Sequence, residues 1–433
     1  MDLAGKRVLV VGLGKSGVAA ARLCLARGAR VSGTDRASAE QLSPEARGLG
    51  IPITPHESTD FRGQDLIVVS PGVPAMPELD ATGAEVIGEL ELAARFVTRP
   101  IVCIGGTNGK STVTSLVRDI FVAAGLRVFA GANLGTPSAE AADGDWDVVV
   151  FEASSFQLER VSEFHPRVSV LLNVSEDHLD RYASFQAYAD AKGNAFTRQT
   201  LNDFAVVPEA DAACRQQAER GEARVLTFGA AGDYAVNERS VAERATGEVF
   251  SLGALRLHGR HNLDNAAAAI AASRALGVSP DSVAKGLAAF EPLPHRMALV
   301  ADVKGVRFYD DSKATNVGAA VTALRGLSET RGVLIAGGRD KLGSYEPLVS
   351  ALAEKGRAVV VIGEAAERIA AAVGDTLPVH RAATMKDAVR QASELAQEGD
   401  AVLLSPACSS YDMFKSYSDR GDAFVRAVHE VSA

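Results

Sequence analysis

The sequence predicts an α/β protein built on mostly parallel sheets, and three observations carry that prediction. Short Val/Ile/Leu runs alternate with Ala-, Leu- and Arg-rich stretches of helical character through most of the 433 residues. The runs are continuously apolar, as strands buried on both faces of a parallel sheet must be. The pattern also starts anew in three places: at a glycine loop after residue 11, at a second after residue 104, and beyond Pro292 and Pro294. With roughly 150 residues per domain, this gives expected domains at 1–91, 92–293 and 294–433. The first and last are expected to be Rossmann-like, and the central one of phosphate-loop ATPase type.

In the first part, the run Arg7–Val11 leads into Gly12-Leu13-Gly14-Lys15-Ser16-Gly17, an Ala-rich helix follows, and Asp35 closes the next strand. Glycines at this spacing permit a tight turn and let a pyrophosphate approach a helix N-terminus. The pattern alone leaves NAD, another nucleotide diphosphate, and a plain strand-to-helix joint all open. A further run, Leu66–Val69, ends at Ser70-Pro71-Gly72.

In the second part, Ile101–Ile104 precedes Gly105-Gly106-Thr107-Asn108-Gly109-Lys110-Ser111-Thr112, and Val113–Ala124 reads as a helix. Successive backbone N–H groups there would cradle phosphates. Lys110 would reach the β- and γ-phosphates, and Ser111 or Thr112 would hold Mg²⁺. The spacing departs from the standard motif, since Ile104 stands where the first glycine belongs. Val148–Phe151 ends in Glu152, as a second Mg²⁺ ligand beside a phosphate loop would require. Val168–Leu172 leads to Asp177, His178 and Asp180, at a strand's C-terminal end where α/β sites collect. Lys192 lies in the helix-like stretch Phe185–Phe196, and composition alone makes it a solvated lysine. Residues of about 204–258, with Arg224–Phe228 and Glu248–Leu257 as strand pieces, read as a small β excursion.

In the third part, Val306–Tyr309 leads to Asp310-Asp311-Ser312-Lys313-Ala314-Thr315-Asn316. Val333–Ala336 leads to Gly337-Gly338-Arg339-Asp340-Lys341, and Ala401–Leu404 to Ser405 through Tyr411, while Ala358–Ile362 is one more strand. Three strand ends that present Lys, Ser and Thr make a carboxylate-binding rim. Cys408 lacks a His/Asp partner set and reads as a packing residue.

Composition narrows the function. Lys plus Arg number 45 against 54 Asp plus Glu, a net charge of −9. This argues against a protein that binds nucleic acid or an anionic membrane. The four scattered cysteines form neither a disulfide framework nor a zinc site, which suits a reducing cytoplasm. The longest charge-free runs are about 12 residues, too short for the roughly 20 of a spanning helix.

Gly106–Thr112, Glu152-Ala153-Ser154-Ser155-Phe156-Gln157, Asp177-His178, His261-Asn262 with Asn265, His295-Arg296 and Asp311–Asn316 together resemble the Mur ligase family. Gly12–Gly17 and Asp311–Asn316 look most like its D-glutamate-adding member. The resemblance covers essentially the whole chain and implies ATP-driven amide formation. The alanyl carboxylate of UDP-N-acetylmuramoyl-L-alanine would take up the γ-phosphoryl group, and D-glutamate would then displace phosphate. Gly14, Ser16, Asp35, Arg36, Ser70, Pro71 and Gly72 would serve the UDP portion, and Asn133 the muramoyl-alanine arm. Gly106–Thr112, with Asn265, Arg296 and Asp311, would hold ATP.

Two Mg²⁺ ions are implied, one on Ser111 and Glu152, the other on His178 and a carbamylated Lys192. Lys110, His178, Lys192 and Lys313 would be catalytic, and Thr315, Lys341, Ser410 and Tyr417 would receive D-glutamate. Phe would be usual in the family at position 417. A monomer without nucleic-acid or membrane partners is expected. Folylpolyglutamate synthetase is a rival ligase, though it lacks a UDP-type N-terminal domain. An NAD-dependent oxidoreductase is the rival from another class and explains only Gly12–Gly17.

Overall fold

The computed structural model describes residues 1–38, 40–179, 181–255, 257 and 260–432. Asp180 and Arg256, which fall in segments read above, lie outside the described residues. Three sheets form, of five, nine and six strands. The chain divides into two compact units: 1–174 with 186–255 and 263–290, and 175–185 with 256–262 and 291–433.

The first sheet runs Ile53–Pro55, Arg30–Asp35, Arg7–Val11, Leu66–Val69, Glu85–Gly88, all parallel. Alternation along Arg7–Val11 loads both faces. Val8 and Val10 pack with Val18, Ala20 and Cys24 of helix Lys15–Ala26, while Leu9 and Val11 pack with Ile67, Val69 and Met76.

The central sheet runs Val249–Ser251, Ser240–Glu243, Tyr234–Val236, Arg224–Gly229, Phe204–Pro208, Val168–Leu171, Ile101–Gly105, Val148–Glu152, Val128–Ala132. The expected β excursion is shorter than 204–258. Phe204–Pro208 and Arg224–Gly229 are parallel strands of the main sheet, and only 234–251 turns antiparallel. The helix Lys110–Ala123 starts at the lysine itself, earlier than the expected Val113, and packs closely on Pro280–Ala289. A Cβ at Gly286 would lie 2.4 Å from the Ile120 Cα.

The third sheet runs Ala298–Val303, Val306–Asp310, Ala401–Leu404, Gly332–Gly337, Gly356–Ile362, Val379–Arg381. Its first strand, unforeseen in the sequence, is an antiparallel edge. The turn before its partner is Lys304-Gly305, both at positive φ (52° and 79°), the geometry of a tight hairpin. Asp310, Leu404 and Ile335 stand side by side in register, so the loops that follow their strands emerge along one edge.

Candidate active site

In the first loop, Gly17 is required by contact, because a Cβ there would sit 1.8 Å from the Gly12 carbonyl oxygen. A Cβ on Gly14 would meet nothing within 4 Å, which leaves this side of the turn open to a ligand. Ser70 Oγ donates to the Gly12 carbonyl at 2.6 Å and ties the two loops together. Asp35 braces the turn: its oxygens accept the N–H of Leu13 at 2.6 Å and of Ala37 at 2.8 Å.

The second loop is shaped by Gly106 and Gly109 at φ 142° and 86°. Gly109 is the N-cap of Lys110–Ala123 and offers no side-chain acceptor, so the helix presents its first backbone N–H groups and dipole to the loop. Lys110 Nζ donates to the carbonyls of Gly106 and Thr107, each at 2.9 Å. Asn173, a residue the sequence reading passed over, clamps the loop from the next strand. Its carbonyl accepts Thr107 N–H at 2.9 Å, and its amide side chain bonds both the N–H and the carbonyl of Asn108.

Glu152 stands beside Ile104 in register and is 1% exposed. Its Oε1 accepts from Asn133 Nδ2 at 2.6 Å, whereas Oε2 is buried with no hydrogen-bond partner. An anionic oxygen in that condition suits a cation. Lys192 is not solvated. It is 2% exposed, donates to the Gly106 carbonyl at 2.9 Å, and lies 4.5 Å from the Tyr188 ring centre. The Asn265 side chain fills the space where a Gly109 Cβ would be. The first unit thus gathers Gly106–Thr112, Asn133, Glu152, Lys192 and Asn265.

The second unit gathers the rest. Asp311 is buried, accepts from Ser405 Oγ at 2.9 Å and Met297 N–H at 3.3 Å, and its carboxyl is pushed up to about 7 by burial, against the pull of Arg296. Arg296 keeps a buried Nε without a hydrogen-bond partner. Burial, with Arg296 nearby, lowers the His261 pKa to about 4. Lys313 Nζ donates to the Tyr417 hydroxyl at 3.3 Å and sits 4.7 Å from its ring centre, so the hydroxyl that departs from the family pattern has a partner. Ser410 is buried on the loop after Ala401–Leu404. His178 adopts positive φ (55°) next to Asp177, whose carboxylate meets Lys341 Nζ at 3.1 Å.

Arg420 was also missed from sequence, and it organises this rim. It is 1% exposed and donates to Ser312 Oγ at 3.0 Å, the Ser312 carbonyl at 2.8 Å and the Cys408 carbonyl at 3.1 Å, with longer contacts to Ser409 and Gly337. One guanidinium thus pins all three strand-end loops. Cys408 is buried with its sulfur 3.2 Å from the Tyr345 hydroxyl, which fits the packing role.

Fold and loop together define a phosphate-loop nucleotide-binding protein of three α/β sheets, with a buried acid beside the loop and a cationic rim on its last sheet. Three family models match: a Mur ligase MurD-like N-terminal domain over 6–88, a Mur ligase middle domain over 104–273, and a Mur ligase glutamate ligase domain over 295–408. A Geotalea daltonii protein named UDP-N-acetylmuramoylalanine--D-glutamate ligase is 43% identical over 100% of this chain and 99% of its own. A Pelobacter propionicus protein of the same name is 45% identical over 99% of both. The chain belongs to the Mur ligase family.

Among solved structures, the UDP-N-acetylmuramate-alanine ligase MurC of Thermotoga maritima has a TM-score of 0.63 at 20% identity, covering 98% of this chain and 100% of that one. Mycobacterium tuberculosis folylpolyglutamate synthase complexed with ADP also scores 0.63 at 20% identity, but covers 78% of this chain and 92% of its own. These two show a shared fold. The match over 6–88 is to a Mur ligase N-terminal domain, and membership of the family sets the oxidoreductase reading aside.

Proposed function

We propose that this chain is an ATP-dependent carboxylate–amine ligase that joins D-glutamate to UDP-N-acetylmuramoyl-L-alanine, releasing ADP and phosphate in peptidoglycan precursor synthesis. The observation that carries the reading is the phosphate loop with Glu152 beside it, its Oε2 buried and unpartnered. The name of the relatives supplies the substrates.

An oxygen of the alanyl carboxylate attacks the γ-phosphorus, the bond to ADP breaks, and an acyl phosphate forms. The D-glutamate amine then adds to the acyl carbon, loses a proton, and phosphate leaves with the carboxylate oxygen. Two anions must meet in the first step, so positioning and charge neutralisation do the catalysis. Lys110 supplies a cation at the loop, and the helix N-terminus supplies N–H donors.

Ser111 and Glu152 would hold one Mg²⁺, and His178 with a carbamylated Lys192 the other; bound there, the ions neutralise phosphate charge. Addition of CO₂ to the buried Lys192 amine would replace an ammonium, which repels a cation, with anionic oxygens that suit Mg²⁺. Asn265, Arg296 and Asp311 serve ATP. Gly14, Ser16, Asp35, Arg36 and Ser70–Gly72 serve the UDP portion, and Asn133 the alanyl arm. Lys313, Thr315, Lys341, Ser410 and Tyr417 take D-glutamate.

Domain limits near 91 and 294 fit the ends of the matched segments. All assigned groups come from one chain, so the reading needs no second copy. Among the described residues no helix is long and apolar enough to cross a membrane, and ATP with a UDP-linked substrate supports a cytoplasmic reaction. The test is phosphate release from ATP in the presence of UDP-N-acetylmuramoyl-L-alanine. Release that depends on D-glutamate supports the reading, and release indifferent to D-glutamate overturns it.

A further inference from the structure

The segment 175–185 belongs by its contacts to the second unit, although the chain on either side of it belongs to the first. Asp177 ties it to residues of that unit. Its side chain is 7% exposed, and its carboxylate accepts from Lys341 Nζ at 3.1 Å and the His178 N–H at 2.9 Å on Oδ1 and from Asn316 Nδ2 at 3.1 Å on Oδ2, with the His178 Nε2 3.7 Å from Oδ2. Lys341 has a nearer acid in sequence, Asp340, but that carboxylate is taken by Arg368, Tyr345 and the Leu342 N–H. The lysine reaches across to Asp177 instead. Asn316 is itself fixed, because its Oδ1 caps the helix Val317–Arg325 by accepting the Ala319 N–H at 2.8 Å. Asp177 is thus held between two rigid loop positions while its own turn sets the backbone of His178.

We propose that Asp177 is an internal stand-in for the carboxylate of the incoming amino acid: it occupies Lys341 when the amino acid is absent and is displaced from it on binding. This rests on the reading of Lys341 as a D-glutamate receptor. The chemistry of the contact is the same in both states, a carboxylate on an ammonium, and it costs the enzyme part of its affinity for D-glutamate. In return the half-buried Lys341 is never left without a counter-charge. Displacement leaves Asp177 with the His178 N–H and Asn316, so arrival of the amino acid is felt at the turn that carries His178. Asp177 is therefore a positioning residue that opposes binding and supports turnover.

Steady-state kinetics of the full-length protein separate this role from a merely structural one. Asp177→Asn removes the charge and keeps the shape. Asp177→Ser removes the charge and keeps a hydroxyl for the His178 N–H. In both, KM for D-glutamate falls about three- to tenfold, the range of a partly buried charge pair, while kcat falls as well. In a Lys341→Met background the effect of Asp177→Asn on KM disappears, because the coupling runs through that ammonium. A KM for D-glutamate that rises or stays unchanged in both folded single variants overturns the role of Asp177 alone. Absence of D-glutamate-dependent phosphate release by the wild-type protein overturns the function itself.

Discussion

Arg420→Met tests whether the amino-acid rim is held together by one buried cation. The guanidinium makes three hydrogen bonds of 3.1 Å or less, to Ser312 Oγ, the Ser312 carbonyl and the Cys408 carbonyl. At about 1.5 kcal/mol each, the low end for a charged donor, they contribute roughly 4 to 5 kcal/mol. Opposing this, its partners are neutral oxygens, and burial lowers the Arg420 pKa to about 10. The desolvation penalty of such an ion is several kcal/mol. Methionine fills much of the volume and removes that penalty, so the net loss of stability is only about 1 to 3 kcal/mol.

The effect on the rim is larger than the effect on the fold. Loops carrying Lys313, Lys341 and Ser410 lose their common anchor, and KM for D-glutamate rises at least about tenfold, equivalent to about 1.4 kcal/mol of lost pre-organisation. KM for ATP stays within about twofold, because the phosphate loop is untouched. Arg420→Lys keeps the charge without the planar fork and falls between. The assay is urea unfolding beside steady-state kinetics in each substrate. A folded Arg420→Met protein with wild-type KM for D-glutamate would show that Arg420 does not hold the three loops in place.

Lys110→Ala is expected to reduce kcat by about a hundred- to a thousandfold with an unchanged circular dichroism spectrum; retention of more than about a tenth of the activity would remove Lys110 from the mechanism. Asn173→Ala removes the two side-chain bonds to Asn108 and keeps the carbonyl that accepts the Thr107 N–H, and KM for ATP should rise about tenfold, checked by initial rates against ATP concentration. Lys192→Ala should be nearly inactive and Lys192→Arg should not recover, since a guanidinium cannot add CO₂; wild-type turnover by the arginine variant would make this a structural lysine.

The pH dependence of stability tests Glu89, which links the first sheet to the central one through Ser138 Oγ at 2.5 Å and the Ala139 N–H at 2.6 Å. Burial raises its pKa to about 7 from 4.5. Its folded pKa lies above the unfolded value, so the stability it lends is fully present below about pH 4.5 and is lost as pH rises through 7. Glu89→Gln should therefore be more stable than wild type at pH 8 by up to about 3 kcal/mol, with no such advantage at pH 4. Parallel urea melts at both values decide it.

What could be read in the sequence follows from where the physics is local. Continuous apolar strands and the Gly106–Gly109 loop write their geometry into neighbouring residues, so the class and the glycine loop at a helix start were legible. Glu152 was legible as an acid at a strand end, but its orphaned oxygen was not, because that depends on Asn133 from the next strand. Lys192 looked like a surface lysine since nothing in Phe185–Gly193 discloses burial beneath Tyr188 and Gly106. Asn173 and Arg420 act at a distance, from 65 and 108 residues away from Asn108 and Ser312. No motif spacing can announce them. The excursion at 204–258 was over-drawn because Gly-separated strands look alike whether they join a parallel sheet or leave it.

The central claim is that the alanyl carboxylate is activated as an acyl phosphate. It is tested most directly by making UDP-N-acetylmuramoyl-L-alanine with heavy oxygen in that carboxylate and following the label by mass spectrometry during turnover with ATP and D-glutamate. One labelled oxygen per turnover is expected to leave in the released phosphate, and the other to stay in the new amide. Unlabelled phosphate, formed at the same rate as the amide, would contradict it.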